Sequence, residues 1–308
     1  MNILERIAAS LSYRWSRIVY HMWTKPINSW SFARWQKPRV LSLTETVQYI
    51  VDHKSSICRY GDGEFNIALG KAIGFQHLNC NMSERMNQVL QSDEENILIA
   101  IPDIFGDLSM YSDFAGPWWG EYRLQELSKL QKLLKSERTY FNSNCTRFTS
   151  DYKEDQANEL IPIYRQIWDK RDVYIVEGEQ TRIGVGNDLL DNAANIYRIL
   201  APAKNAYDAY DRIIESVQQH APHGALVIIA LGPTATIMAF DLAKMGYQAL
   251  DLGHFDIQYE YHIRGIHTKE AIPGKYVNEA STAGQTVDDN AIKDDRYKES
   301  IVEVIKII

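Results

Sequence analysis

The sequence predicts an α/β fold of Rossmann-like type, in which helices flank a mostly parallel sheet and an amphipathic helical extension precedes it. Past residue 40, short apolar segments alternate with helical stretches, as in a series of strand–helix units. Several of these segments are apolar almost without interruption, for example LVIIAL at 226–231. Strands of this kind are usually covered on both faces, and this indicates a parallel sheet.

Composition limits the classes of function. The 308 residues can form one large domain or two smaller ones, and 45% apolar with 24% charged residues is typical of a globular protein. The net charge of −7 provides no basic field, so no nucleic acid partner is expected. Three cysteines without metal-binding spacing indicate a reduced, cytoplasmic protein. No apolar run reaches the roughly 18 residues that span a bilayer, and no signal peptide is expected.

Residues 1–40 form a predicted segment that is amphipathic, aromatic and basic. Apolar side chains recur at helical spacing from Ile3 to Met22, whereas arginines gather on another face. The segment contains seven Lys or Arg residues against Glu5 alone, and four of the seven tryptophans. Two interpretations remain open: peripheral contact with the inner face of the cell membrane, or a helix that docks on the domain or on a second subunit.

The main domain is predicted over residues 41–280, with seven strands separated by helices. The predicted strands are 56–61, 96–102, 138–142, 172–178, 195–200, 225–231 and 247–253. The predicted helices are 43–53, 82–92, 118–135, 156–169, 204–220 and 233–245. Residues 281–308 are a predicted polar tail, whose last residues, IVEVIKII, could add a final strand.

The segment RYGDGEF at 59–65 places two carboxylates where a buried strand is predicted to end. If the backbone stays extended there, Asp62 and Glu64 face one ligand at the carboxyl edge of the sheet. Gly61 and Gly63 allow a ligand to approach the backbone closely. Two hard oxygen ligands with space for water and phosphate suit Mg²⁺ or Mn²⁺. From these residues alone, the alternative is an ordinary turn in which Glu64 opens the next helix.

Two further polar clusters follow other predicted strands and suit a nucleotide. The members of the first cluster are Arg182, Asn187, Asp188, Lys204 and Asn205. Such side chains can hold phosphate, ribose and a base edge. The second cluster is Gly232, Pro233 and Thr234, where the start of a helix offers free amides and a hydroxyl to phosphate. Ordinary polar loops and helix caps are the alternative in both places.

Five segments, in their order along residues 42–280, resemble the GT-D type glycosyltransferases, a family found in bacterial gene sets for glycosylated adhesins and surface polysaccharides. These segments are RYGDGEF, TRIGVGNDLLDNA, APAKNAYDAYD, ALGPTATIMAFDLAKMGYQALDLGHFDIQYEY and GKYVNE. The resemblance implies a nucleotide-sugar donor, typically a UDP-hexose, and a lipid-linked or protein-linked glycan acceptor. It also implies Mn²⁺ or Mg²⁺ at an Asp-x-Glu motif, which here is Asp62-Gly63-Glu64.

On this basis, we expect the cation at Asp62 and Glu64 to stabilise negative charge on the departing diphosphate. Arg59, beside the motif, and Arg182 could add positive charge. The two polar clusters would hold the nucleotide, although the sequence does not assign base and phosphates between them.

An inverting reaction would also need a carboxylate that takes the proton from the acceptor hydroxyl. We expect Glu279 in this role first, because a late glutamate in a loop could reach the donor, with Asp256 and Glu260 as the other candidates. A retaining reaction would need no such base, and the sequence does not choose between the two.

Other functions remain open. A nucleotide-sugar or nucleoside-diphosphate hydrolase would use the same metal and carboxylates with water as the acceptor. An inactive scaffold of a glycosyltransferase complex fits less well with an intact Asp-Gly-Glu motif. A dehydrogenase fits least, because GVGND at 184–188 does not complete the G-x-G-x-x-G fingerprint.

Overall fold

A computed structural model describes residues 20–74, 76–277, 287 and 295–307. Nine strands lie in these ranges. They are β1 (Arg39–Val40), β2 (Ser56–Arg59), β3 (Ile97–Ile101), β4 (Thr139–Asn142), β5 (Asp172–Gly178), β6 (Asn195–Ala201), β7 (Leu226–Ala230), β8 (Gln248–Asp251) and β9 (Ile301–Val304). They form one sheet in the order β1-β4-β3-β2-β8-β7-β5-β6-β9, and every pairing is parallel.

Eleven α-helices are present in the same ranges, and they separate consecutive strands along the chain except β5 and β6, which a loop connects. They are α1 (Lys25–Arg34), α2 (Leu43–His53), α3 (Asp62–Ala68), α4 (Cys80–Gln91), α5 (Ala115–Gln125), α6 (Leu127–Leu133), α7 (Ala157–Trp168), α8 (Tyr210–His220), α9 (Pro233–Lys244), α10 (Phe255–Arg264) and α11 (Asp295–Ser300). The predicted α/β fold with a parallel sheet flanked by helices is confirmed.

The apolar strands occupy the centre of the sheet, as their composition requires. Every residue of β3, β7 and β8 is buried, because helices cover both faces of these strands. Along the chain, β2, β3 and β4 extend the sheet in one direction, whereas β5 to β9 lie on the other side of β2. The order therefore reverses between β2 and β8, and such a point leaves a crevice at the carboxyl ends of the strands.

Most predicted elements are found, and the differences have local causes. Asn79 caps α4 by accepting a hydrogen bond from the Met82 amide, so this helix begins at Cys80. The predicted helix 118–135 is two helices, α5 and α6. The helices α1, α10 and α11 and the short strand β1 were not predicted, and α3 was foreseen only in the alternative in which Glu64 opens a helix. The C-terminal strand is confirmed, since β9 pairs with β6.

The N-terminal segment contacts the domain through its second half. Residues 1–19 of the predicted helix lie outside the described residues. Lys25 Nζ lies 2.7 Å from Glu121 Oε2, and the indole of Trp35 donates to Ser136 at 3.1 Å. Residues 25–40 thus dock on the domain and supply β1 to its sheet. Among the helices that can be described, none is long and apolar enough to cross a membrane.

Candidate functional site

A cavity of about 620 Å³ opens at the edge of the sheet where the strands end. Its wall includes residues that follow six of the strands, so it occupies the place where an open parallel sheet usually binds its ligand. From these strand ends it includes Arg59, Gly61, Asp62, Glu64, Ser143, Gly178, Ala203, Gly232, Asp251 and Asp256.

Asp62 and Glu64 both line this cavity, but not on extended backbone. The strand β2 ends at Arg59, and Asp62 and Glu64 are the first and third residues of α3. The prediction of extended geometry is therefore wrong, and the alternative in which Glu64 opens a helix is confirmed. The cause is a local hydrogen bond: Gly61 N–H donates to Glu64 Oε2 at 2.8 Å, which fixes the first turn.

The electrostatics of the motif favour a bound cation. Asp62 is exposed, whereas Glu64 is half-buried. Burial and the charge of Asp251 raise the pKa of Glu64 to about 7, with a smaller contribution from Asp62. Glu64 Oε2 is held by the Gly61 amide, and Oε1 remains for a ligand. A positive ion in this cavity would offset the repulsion among these three carboxyl groups.

Arg59 lies at the base of the cavity in an ion pair that the sequence did not predict. Its Nη2 lies 2.9 Å from Asp251 Oδ1, and its Nε donates to the Asp251 carbonyl at 2.6 Å. Its Nη1 donates to Thr146 Oγ1 at 2.7 Å. The guanidinium is therefore committed to the protein, and it supports the cavity floor. Gly253 leaves room for it, because a Cβ there would lie 2.3 Å from Arg59 Nη2.

The predicted phosphate seat at 232–234 reaches the cavity through one residue. Gly232 precedes α9 with a φ of +53°, and it lines the cavity together with Gly178 and Ala203. Pro233 and Thr234 are buried behind it. The Thr234 hydroxyl has no hydrogen-bond partner among the residues that the structure describes. The start of α9 is thus presented to the cavity by backbone rather than by side chains.

Asp256 and Glu260, predicted as candidate bases, belong to a buried cluster around Lys275. Lys275 Nζ lies 2.6 Å from Asp256 Oδ2 and 2.9 Å from Glu260 Oε1. Asn187 donates to both carboxylates, at 2.9 and 2.7 Å, and Arg264 pairs with Glu260. Burial alone would raise the pKa of Glu260, but Lys275 and the other donors lower it. Both carboxylates are therefore held as ion-pair partners.

The remaining predicted residues lie away from the cavity wall. Arg182 donates to the carbonyl of Gly274 at 2.8 Å, and Asp188 is paired with Arg165 at 2.8 Å. Lys204 is exposed, and Asn205 accepts a hydrogen bond from the backbone of His77. In the structure, the residues of the first nucleotide cluster therefore mainly contact other parts of the protein. Glu279, the first choice as a base, lies outside the described residues.

Sequence reasoning missed several residues that line the cavity or stabilise the elements around it. Asp251 ends an apolar strand, the same signal that led to Asp62, and could have been found by it. Lys275 stands in the quoted segment GKYVNE, but a lone lysine gives no sign of burial. Phe114, Trp118 and Trp119 also line the cavity, and they follow no predicted strand directly.

The donor set fits a divalent metal whose remaining ligands come from substrate and water. Asp62 and Glu64 supply hard carboxylate oxygens, which Mg²⁺ and Mn²⁺ prefer. Across the described ranges, no group of three or more His, Cys, Asp or Glu side chains could hold a metal alone. Sites that bind Mg²⁺ with substrate phosphates commonly use one or two protein carboxylates, which is the number available here.

Comparisons with known proteins find relatives that are similar in sequence and in fold. The family model for the glycosyltransferase GT-D fold matches residues 57–280. Glycosyltransferase GlyD of Streptococcus pneumoniae serotype 4 is 33% identical over 268 residues, which are 86% of this chain and 32% of that protein. The probable glycosyl transferase Gly of Streptococcus gordonii is 32% identical over 242 residues, 78% of this chain and 35% of that protein. The chain thus spans about a third of the length of these curated relatives.

Two solved structures have a similar fold. A structure described as a new glycosyltransferase (DUF1792) from Streptococcus sanguinis has a TM-score of 0.81 and 30% identity, and the match covers 88% of this chain and 100% of that one. Another is described as the domain of unknown function 1792 with a distinct glycosyltransferase fold. It has a TM-score of 0.84 and 31% identity, covering 91% of this chain and 100% of that one.

Proposed function

Because the chain belongs to the GT-D glycosyltransferase family, we propose that it transfers a hexose from a nucleotide sugar, UDP-hexose, to a glycan acceptor. In this proposal Asp62 and Glu64 hold Mn²⁺ or Mg²⁺. One observation supports it most: two carboxylates in the first turn of α3 line a cavity at the reversal point of the sheet. The acceptor would be part of a surface polysaccharide or a glycoprotein.

The residues around the motif suit the departure of a diphosphate. A divalent cation, when bound, neutralises the charge that develops on the leaving group. Gly61 orients Glu64 through its amide, so this carboxylate needs little rearrangement on binding. On the other side, Gly232 at the start of α9 lines the cavity and lets a phosphate group approach the backbone closely. Arg59 and Asp251 keep the floor between them rigid.

The experiment is mass spectrometry of products from a panel of UDP-hexoses and disaccharide acceptors, with Mn²⁺ or with excess EDTA. We expect transfer with Mn²⁺ and none with EDTA. Asp62→Asn and Glu64→Gln should each lower transfer at least about 100-fold, because the charge on the leaving diphosphate is then poorly stabilised.

Asp211→Asn is the matched control, since Asp211 also stands in the first turn of a helix but outside the cavity wall. It should keep wild-type activity. Full transfer by Asp62→Asn, or in EDTA, would exclude the metal role. Donor turnover that is independent of any acceptor would instead favour a hydrolase.

We also propose that the N-terminal segment makes peripheral contact with the inner face of the cell membrane, where a lipid-linked acceptor would lie. Four apolar side chains of residues 22–30, Met22, Trp23, Ile27 and Trp30, are each at least 60% exposed. Exposed basic residues of the same segment, among them Arg34 and Arg39, complement an anionic lipid surface.

A further inference from the structure

The cavity has two chemically different halves, on either side of Asp62 and Glu64. One half follows β5, β6 and β7 and is lined by small residues and backbone, such as Gly178, Ala203 and Gly232. The other half lies toward β3 and β4 and is lined by Phe114, Trp118 and Trp119, which we call the aromatic wall. Because β2 and β8 lie between these strand groups, the carboxylates stand between the two halves.

The aromatic wall is partly exposed, since Phe114 and Trp118 meet solvent whereas Trp119 is buried. The side chains of Phe114 and Trp118 are 67% and 41% exposed. Trp118 stacks on Tyr122 at a centroid distance of 5.3 Å and an interplanar angle of 13°, and it meets Trp119 edge-on at 4.6 Å. A large aromatic surface that is fixed in a cavity but left in water usually marks a binding site.

This wall is close to the carboxylate pair. Phe114, Trp118 and Trp119 line the same cavity as Asp62 and Glu64. Trp118 packs directly on Tyr122. A ligand on the exposed part of Trp118 would therefore share one cavity with a donor bound at the carboxylate pair.

We propose that the aromatic wall binds the acceptor saccharide, an inference that rests on the proposed transferase function. A pyranose ring presents a face of C–H groups with partial positive charge, and the face of an aromatic ring carries partial negative charge. An indole therefore holds a sugar by its apolar face and leaves the hydroxyl groups free. Asn144, Arg147 and Asp151 line the same half and can bond those hydroxyls.

The half with small residues suits the donor instead. Glycine there allows the backbone at the start of α9 to approach a diphosphate closely. With the diphosphate on that side and its cation at Asp62 and Glu64, the transferred sugar extends toward the opposite half. The oxygen of an acceptor hydroxyl held at Trp118 would then form the new bond to the anomeric carbon. The bond from that carbon to the diphosphate oxygen would break, UDP would leave, and the hydroxyl proton would pass to water in the open cavity.

The test compares Trp118→Ala and Trp118→Tyr with wild type. Initial rates with UDP-hexose donors and a panel of glucose, galactose and N-acetylglucosamine disaccharides give separate KM values for donor and acceptor. We expect Trp118→Ala to raise the acceptor KM about tenfold or more, with the donor KM within about twofold, and Trp118→Tyr to restore most of the loss. Trp30→Ala is the control, because Trp30 is 60% exposed on α1 and outside the cavity wall.

A second measurement does not depend on turnover. Saturation-transfer NMR with the same disaccharides, Mn²⁺-free and with UDP present, should show contact in wild type and in Trp30→Ala but not in Trp118→Ala. An unchanged acceptor KM, an equal rise in the donor KM, or saccharide contact that survives Trp118→Ala would overturn the inference. If wild type binds a saccharide at Trp118 but transfers no sugar, the proposed function fails while the binding site stands. If wild type binds no saccharide, the inference fails.

Discussion

The protonation state of Glu64 contributes to the free energy of unfolding of the protein. Its pKa is raised to about 7 by burial and by Asp251, whereas the same carboxyl in an unfolded chain titrates near 4.5. Between these values the folded protein holds a proton that the unfolded chain releases, so this group lowers the free energy of unfolding as pH rises from about 4.5 to 7. Below that range the carboxyl is protonated in both states, and the penalty is absent.

We therefore predict a pH-dependent effect of Glu64→Gln, which mimics the protonated form. In excess EDTA, the variant should have nearly the wild-type melting temperature at about pH 4, below the range in which the folded and unfolded states differ in protonation. It should become progressively more stable than wild type as the pH approaches 7.5, because only wild type must ionise a buried carboxyl. Thermal denaturation at half-unit pH intervals measures the difference, and Asp211→Asn serves as the control. A difference that does not change with pH would contradict the raised pKa.

Gly253 is a second residue with a specific physical role. Its φ is +48°, and a Cβ would collide with the guanidinium of Arg59. We predict that Gly253→Ala lowers the free energy of unfolding for two reasons. A positive φ costs an alanine about 1 to 2 kcal/mol, and the loss of the buried Arg59–Asp251 pair costs roughly 3 kcal/mol more. Urea denaturation measures the total, and transfer should fall because Arg59 and Asp251 form the cavity floor.

Gly224→Ala is the matched control for this change. Gly224 also has a positive φ, +81°, but a Cβ there meets nothing within 4 Å. Gly224→Ala should lower the free energy of unfolding only by the cost of the positive φ, and it should leave transfer activity unchanged. Equal losses of stability and activity in both variants would show that the position of Arg59 does not matter.

At the scale of secondary-structure elements, buried ion pairs and hydrogen bonds connect α10 to the chain around it. Asp256 and Glu260, one turn apart on α10, share Lys275 from the following segment and Asn187 from the loop before β6. A buried ion pair is costly to break, because the remaining charges lose their partner without gaining water. This cluster explains why a short polar helix is stably placed beside the cavity.

Lys275→Met should leave two buried carboxylates facing each other. We predict a loss of about 3 to 5 kcal/mol in the free energy of unfolding, measured by urea denaturation. Lys204→Met is the control, because Lys204 is exposed, and it should change stability by no more than about 0.5 kcal/mol. A loss in Lys275→Met as small as in the control would mean that the cluster does not hold α10.

The elements themselves were largely predictable, and the exceptions are instructive. Strands such as β7 are apolar throughout, and α2 begins with a capping box at Ser42, so local sequence determines both. In contrast, α10 was missed because its sequence, FDIQYEYHIR, carries few aliphatic residues. It is buried by ion pairs and aromatic rings, which periodicity does not detect. The first turn of α3 was misjudged because the extended backbone of the preceding strand was expected to continue through Asp62 and Glu64, whereas the strand ends at Arg59.

For the whole molecule, the exposed face of the N-terminal segment gives a prediction about lipid surfaces. The double variant Trp23→Ser/Trp30→Ser should bind vesicles with anionic lipid at least about tenfold more weakly than wild type, because two apolar side chains no longer enter the interface. Co-sedimentation with anionic and with neutral vesicles measures binding. The variant keeps Lys25 and Trp35, which connect this segment to the domain.

Met245→Ser/Ile263→Ser is the matched control, since both residues are exposed apolar side chains elsewhere on the surface, 39% and 49% exposed. It should bind vesicles as wild type does. Equal binding by wild type and by the Trp23→Ser/Trp30→Ser variant would exclude this face as the membrane contact and leave docking on the domain as its role.

The sequence by itself determined the alternation of strands and helices, the parallel sheet and the position of Asp62 and Glu64 beside a strand end. These follow from hydrophobic patterning and short-range hydrogen bonds, which act within a few residues. The tertiary structure alone decided that Arg59 meets Asp251 across 192 positions, that Lys275 is buried, and that an aromatic wall faces the carboxylates. Such contacts depend on the order of strands in the sheet, which no local pattern encodes.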